Sequence, residues 1–168
     1  MGVEVEGLES MVMRIQQVSD TCKRRVINSM RKDGVELRDL ARRMAPIWRG
    51  NLEHAIKCDD AGGGRDEDTG QFTRKEVVVY IDMEETFTVF NKNGKTREAS
   101  VGDYAYAIYY NLPPLGTWQL GKDSQLKQEL NPDIQVGGEF LERAAIELND
   151  QIVNDAVAVV SDYLWVDF

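Results

Sequence analysis

Histidine, cysteine and proline are scarce in this chain: one, two and four residues in 168. His54 with the isolated Cys22 and Cys58 cannot supply a tetrahedral zinc site from one copy. His54 reads as a turn or surface residue, and Cys22 as a small apolar packing residue. No stretch of 18 apolar residues occurs, so no segment is expected to span a membrane. The opening Met-Gly-Val-Glu-Val-Glu is acidic and lacks the apolar centre of a signal peptide, which points to a protein made and kept in a cytoplasm. No nucleophile, base and orienting group stand together in the pattern, so no catalytic residue is expected. The triple glycine at 62–64 is not closed by Gly-Lys-Ser/Thr and is no phosphate loop. The acidic run around it lacks the alternating ligands and closing glutamate of a calcium loop. No cofactor or metal is expected.

What the chain has is an unusually long amphipathic stretch. Leu8, Met11, Ile15, Val18, Cys22, Val26, Met30, Leu37, Leu40, Ala41 and Met44 recur at steps of three or four, with one gap at Asp33-Gly34. That spacing predicts a helix over 7–45. At 1.5 Å per residue it would be about 57 Å long, more than one small domain covers. The excess must meet a partner, bend or break, and Gly34 is the expected break because glycine costs about 1 kcal/mol inside a helix. Ala45-Pro46 ends it, since the residue before proline avoids the helical region. Gly50 supplies backbone freedom at the corner.

Charge is segregated. From Arg14 to Arg49 ten basic and four acidic residues give +6; the net −9 therefore leaves −15 on the rest. A solvated helix face and an acidic surface explain this simply. A sharper reading has the basic helix of one copy meeting the acidic surface of the next. Nucleic-acid binding by the basic helix is the alternative, opposed by the overall negative charge.

Further along, 51–56 reads as a helical turn or a first strand. Residues 59–74, with five acidic residues and four glycines, read as a flexible linker. Lys75–Asp82 and Thr86–Phe90 read as strands, and Asn93-Gly94 as the turn of a hairpin returning to Val101. Asp103–Asn111 alternates tyrosine and alanine and reads as another strand. Residues 112–138 read as a long loop with one helical turn at Leu126–Leu130. Phe140, Leu141, Ala144, Leu148, Ile152, Ala156 and Val159 mark a closing helix over 139–166. The expected fold is α+β, one domain over 1–168: two long helices packed on a small antiparallel sheet, with two long loops.

Three ordered stretches carry a resemblance. Ala45-Pro46 followed by Gly50 and Leu52, then Tyr104-Ala105-Tyr106-Ala107-Ile108-Tyr109, then Gly137-Gly138-Glu139-Phe140-Leu141-Glu142-Arg143-Ala144 look like the tail-completion, or head–tail joining, proteins of tailed bacteriophages. Arg49 stands where many members carry threonine. The resemblance implies a non-enzymatic virion protein of the neck or tail, assembled as a homo-oligomeric ring, commonly sixfold, around the DNA channel. Implied neighbours are a portal-side head-completion or adaptor protein and a tail terminator or tail tube protein. DNA would pass through without being read, and no membrane is involved. Localisation would be the virion, with assembly in the host cytoplasm.

On that reading, Arg42, Arg43, Trp48 and Arg49 near the helix end are expected to contact neighbouring subunits. The loop from Gln119 to Gln135, with Trp118, Gln119 and Leu120 at its start, is a second contact surface. Asp66, Glu67 and Asp68 are expected to face the channel, where their charge would repel DNA and let it slide. Pro46 and Gly50 are expected to shape the corner.

Overall fold

The computed structural model of the protein describes residues 8–47, 51–62, 75–90, 95–113, 116 and 118–165. The class is α+β, as the patterning predicts, with a long helix near each end.

Helix α1 runs unbroken over Leu8–Met44. Gly34 does not break it. A Cβ there would stand 2.6 Å from the Val77 Cγ1 and 3.0 Å from the Cys58 Sγ, so this glycine is where a strand lies directly on the helix. Loss of propensity is offset by close packing, which the gap in the apolar stripe had concealed.

After α1 comes the short helix α2 (Asn51–Ala55), then strand β1 (Ile56–Gly62), antiparallel to β2 (Lys75–Ile81). Residues 59–62 are therefore strand rather than linker: Asp59 lies opposite Val78 and Asp60 opposite Val77. An acidic strand persists because Asp60 is neutralised from two sides. The Arg31 guanidinium donates to it at 2.5 to 3.1 Å, and the Lys75 ammonium lies 3.1 Å away. Strands β3 (Thr86–Phe90) and β4 (Thr96–Ser100) form a second antiparallel pair, so the described strands make two two-stranded sheets rather than one. The Asn93-Gly94 turn lies outside the described residues.

Gly102–Asn111 is helix α3, not a strand. The alternation of Tyr and Ala masked a second spacing. Val101, Ala105, Ile108 and Leu112 are four, three and four residues apart, and all four are buried. Lys122–Leu130 is a full helix, α4, where only its last turn was expected. Helix α5 spans Phe140–Trp165.

Nor do the two long helices share one sheet face. Helix α1 packs against α5 on one side and against the β1–β2 hairpin on another. The α1–α5 register is antiparallel. The Gly137 N–H donates to the Met44 carbonyl at 3.0 Å, the Gln151 amide to Glu36 at 2.6 Å, and Lys32 lies 3.9 Å from Asp155. Continued at 1.5 Å per residue, that register brings Trp165 level with about residue 22, so about 14 residues of α1 run beyond the end of α5.

The core sits at the opposite end. Leu40, Ala41, Met44 and Ala45 from α1 meet Leu52, Ala55 and Ile56, then Val101, Ala105, Ile108, Phe140 and Ala144. Phe140 is fully buried, with its ring edge-on to Tyr109 at 5.2 Å.

Candidate assembly surfaces

The end of α1 leaves carbonyls without intrahelical partners. The fold satisfies them from α4 and from the loop before α5. The Lys127 ammonium donates to the carbonyls of Arg42 and Ala45, both at 2.7 Å, and bonds the Glu53 carboxylate. The Met44 carbonyl accepts from Gly137. Past the helix, the Ile47 N–H donates to the Ser124 hydroxyl at 2.9 Å, and Ser124 is itself buried. Pro46 is buried at this corner. Helix α4 thus clamps the corner, and Gln128 stitches the following loop: its amide donates to Asn131 and Ile134, and its carbonyl accepts from Val136 at 2.6 Å.

The loop then passes tightly over α3. The Gly138 N–H donates to the Pro113 carbonyl at 2.7 Å, and the Glu139 N–H to Tyr109 at 3.2 Å. A Cβ on Gly138 would fall 2.3 Å from the Tyr109 carbonyl oxygen. Glu139 takes a positive φ of 51° to enter α5, a conformation that surrounding contacts must hold. Arg143 is half-buried and donates to the carbonyls of Gly138 and Gln135 at 3.0 and 2.8 Å. Burial holds its pKa below the usual guanidinium value.

The residues expected to make contacts divide. Arg42 turns inward: its guanidinium donates to the Ile56 carbonyl at 2.7 and 3.1 Å, tying α1 to β1. Arg43 is exposed and lines a groove of about 340 Å³ between α1 and α5 with Glu36, Asp39, Leu40, Glu147 and Leu148. Trp118 and Gln119 are exposed. Leu120 packs against the core, and its carbonyl accepts from Gln125 at 2.8 Å. Trp48, Arg49, Gly50, Asp66, Glu67 and Asp68 lie outside the described residues.

Sequence reasoning missed two exposed surfaces. On α3, Tyr106 and Tyr110 project outward with ring centroids 4.6 Å apart. The Trp118 backbone N–H donates to the Asn111 carbonyl at 3.0 Å, and Trp118 is exposed as well. Aromatic clusters of this kind anchor protein contacts. The other is the outward side of α5, where Ile146, Val153, Val157 and Val160 are exposed. Their spacing was visible in the sequence, but the inward stripe of the same helix drew the reading.

Asp33 is a third unanticipated feature. It is only 3% exposed, and neither carboxylate oxygen has a hydrogen-bond partner. Burial, then the nearby Asp155, pushes its pKa up; Lys32 acts against this and Glu36 with it. Asp60 behaves oppositely, held down at about 2 by Arg31 and Lys75.

Among the described residues, no group of three or more His, Cys, Asp or Glu side chains is arranged to hold a metal ion. No described helix is long and apolar enough to cross a membrane. Neither a protein-family model, nor a curated protein, nor a solved structure matches the chain. The arrangement offers a clamped corner at the end of α1 and exposed aromatic and aliphatic faces on α3 and α5.

Proposed function

We propose that the chain is a structural protein of a tailed virus particle, forming a closed ring at the neck or tail that joins or completes the tail around the DNA channel. Sixfold symmetry is the expectation carried over from the tail-completion proteins it resembles. Its neighbours on this reading are a portal-side adaptor and a tail terminator or tube protein.

One observation carries the reading. The three stretches that hold the resemblance are far apart in sequence yet meet in one core. Ala45 and Leu52, Ala105 and Ile108, and Phe140 and Ala144 all belong to it. They fix the end of a helix that extends well past its partner helix. Such a rod, with exposed apolar faces beside it, is suited to repeated subunit contacts. A virus lacking this chain should yield heads and tails that fail to join. Normal yields of joined, infectious particles would contradict the proposal.

The exposed Lys23, Arg24 and Arg25 on α1 favour a second reading, a DNA-associated or regulatory module. A gel shift at moderate salt, weakening steeply as salt rises, would support that reading instead.

A further inference from the structure

Helix α5 turns Leu141, Ala144, Leu148 and Ile152 toward the protein. Its other side carries Ile146, 76% exposed, then Val153, Val157 and Val160 at 52, 58 and 40%. These stand seven, four and three residues apart, the spacing of a coiled-coil seam, over about 21 Å of helix. Asp150 falls on the same line, four residues after Ile146 and three before Val153. The exposed charges on α5 are Glu142, Glu147, Asp150 and Asp162, all acidic. Its one basic residue, Arg143, is half-buried and bonded to backbone carbonyls. The groove between α1 and α5 is lined by three carboxylates, Glu36, Asp39 and Glu147, against one basic residue, Arg43.

An aliphatic line with an aspartate in it and carboxylates beside it calls for a helix with long basic side chains, whose stems cover the apolar line while their charges meet the acids. This chain carries such a surface. The outward side of α1 presents Arg24, Arg25, Asn28 and Val35, all exposed, with the exposed Lys32 at its edge, 3.9 Å from Asp155 of the same copy's α5. Steps of three and four from Arg25 to Val35 give it the same seam spacing.

We propose that a second copy of this chain lays the outward face of its α1 along the outward face of α5, repeating between copies the antiparallel α1–α5 packing found within each one. The two surfaces differ and lie on the same molecule, so the contact is head-to-tail and propagates until it closes. This deepens the ring reading by naming the faces that meet, but it stands on the exposure and charge of these two helices.

Charge exchange between two variants tests it. Glu147→Lys with Asp150→Lys makes both faces basic; Arg24→Glu with Arg25→Glu reverses the basic cluster on α1. All four side chains are exposed, and circular dichroism verifies that each variant folds. In low salt, sedimentation should show the wild-type chain self-associating and each variant alone associating at least about tenfold more weakly. An equimolar mixture should recover association, because each variant then meets its complement on both faces. A wild-type chain that stays monomeric at every concentration overturns the inference. So does association unchanged in both variants, which places the contact elsewhere, or association that appears only when DNA is added. A negative result here leaves the neck reading to be judged by the particles themselves.

Discussion

Gly34 of α1 and Val77 of β2 touch so closely that a single methyl on the glycine would stand 2.6 Å from the valine Cγ1. Val77 is β-branched and has little rotamer freedom with which to yield. Gly34→Ala should therefore lower stability by about 1–2 kcal/mol, even though alanine is the better helix former by about 1 kcal/mol. Val77→Ala should make room, so that the double variant loses less than the two single losses combined. Chemical denaturation of the four proteins checks this.

Lys127 is the helix cap with most at stake. Lys127→Met keeps the stem but leaves the Arg42 and Ala45 carbonyls and the Glu53 carboxylate without their donor. The expected cost is about 2–4 kcal/mol. Replacing Glu53 by Gln in the same protein should recover part of it, because the remaining partner is then uncharged.

Two glycines make a matched comparison. At Gly138 a Cβ would fall 2.3 Å from a backbone oxygen, which cannot move aside; at Gly121 a Cβ meets nothing within 4 Å. Gly138→Ala should cost more than about 3 kcal/mol or prevent folding, and Gly121→Ala should change stability by less than about 0.5 kcal/mol. Thermal melts of both variants separate the cases.

Acid should act on Asp33 and Asp60 in opposite directions. Asp60 has its folded pKa lowered from 3.8 to about 2, so its contribution is present above 3.8 and is lost as pH falls through about 2. Asp33 has its folded pKa raised above 3.8, so it binds its proton more tightly when folded. It subtracts stability above that raised value, and the penalty is relieved as pH falls through it. Asp33→Asn removes the buried charge and brings an amide donor toward Asp155. It should raise stability at pH 7 by about 1 kcal/mol, with the gain shrinking toward pH 4. Melting temperatures of wild type and variant across that range provide the check.

The sequence showed the helices wherever a single helical period ran through the apolar residues, as along α1 and the inward side of α5. It misled where two periods coexisted. Tyrosines at 104, 106 and 110 gave an alternating signal that hid the buried helical spacing of Val101, Ala105, Ile108 and Leu112. Strand β1 was obscured for a different reason. Asp59-Asp60 looks like the start of a linker until Arg31, 29 residues before Asp60 in the chain, is seen to neutralise it. Long-range partners of this kind leave no local trace. The same limit hid what lies at the surface: Arg42 looked like a surface arginine but bonds the Ile56 carbonyl, while the exposed line on α5 was overlooked beside the stripe that packs.

Electron microscopy of tailed virus particles assembled in cells that produce the chain, with a gold-binding tag at its C-terminus, tests the proposed neck role most directly. The account predicts label confined to a ring where tail meets head, with copies related by rotation about the DNA channel. Intact particles that carry no label at the neck or tail would contradict it.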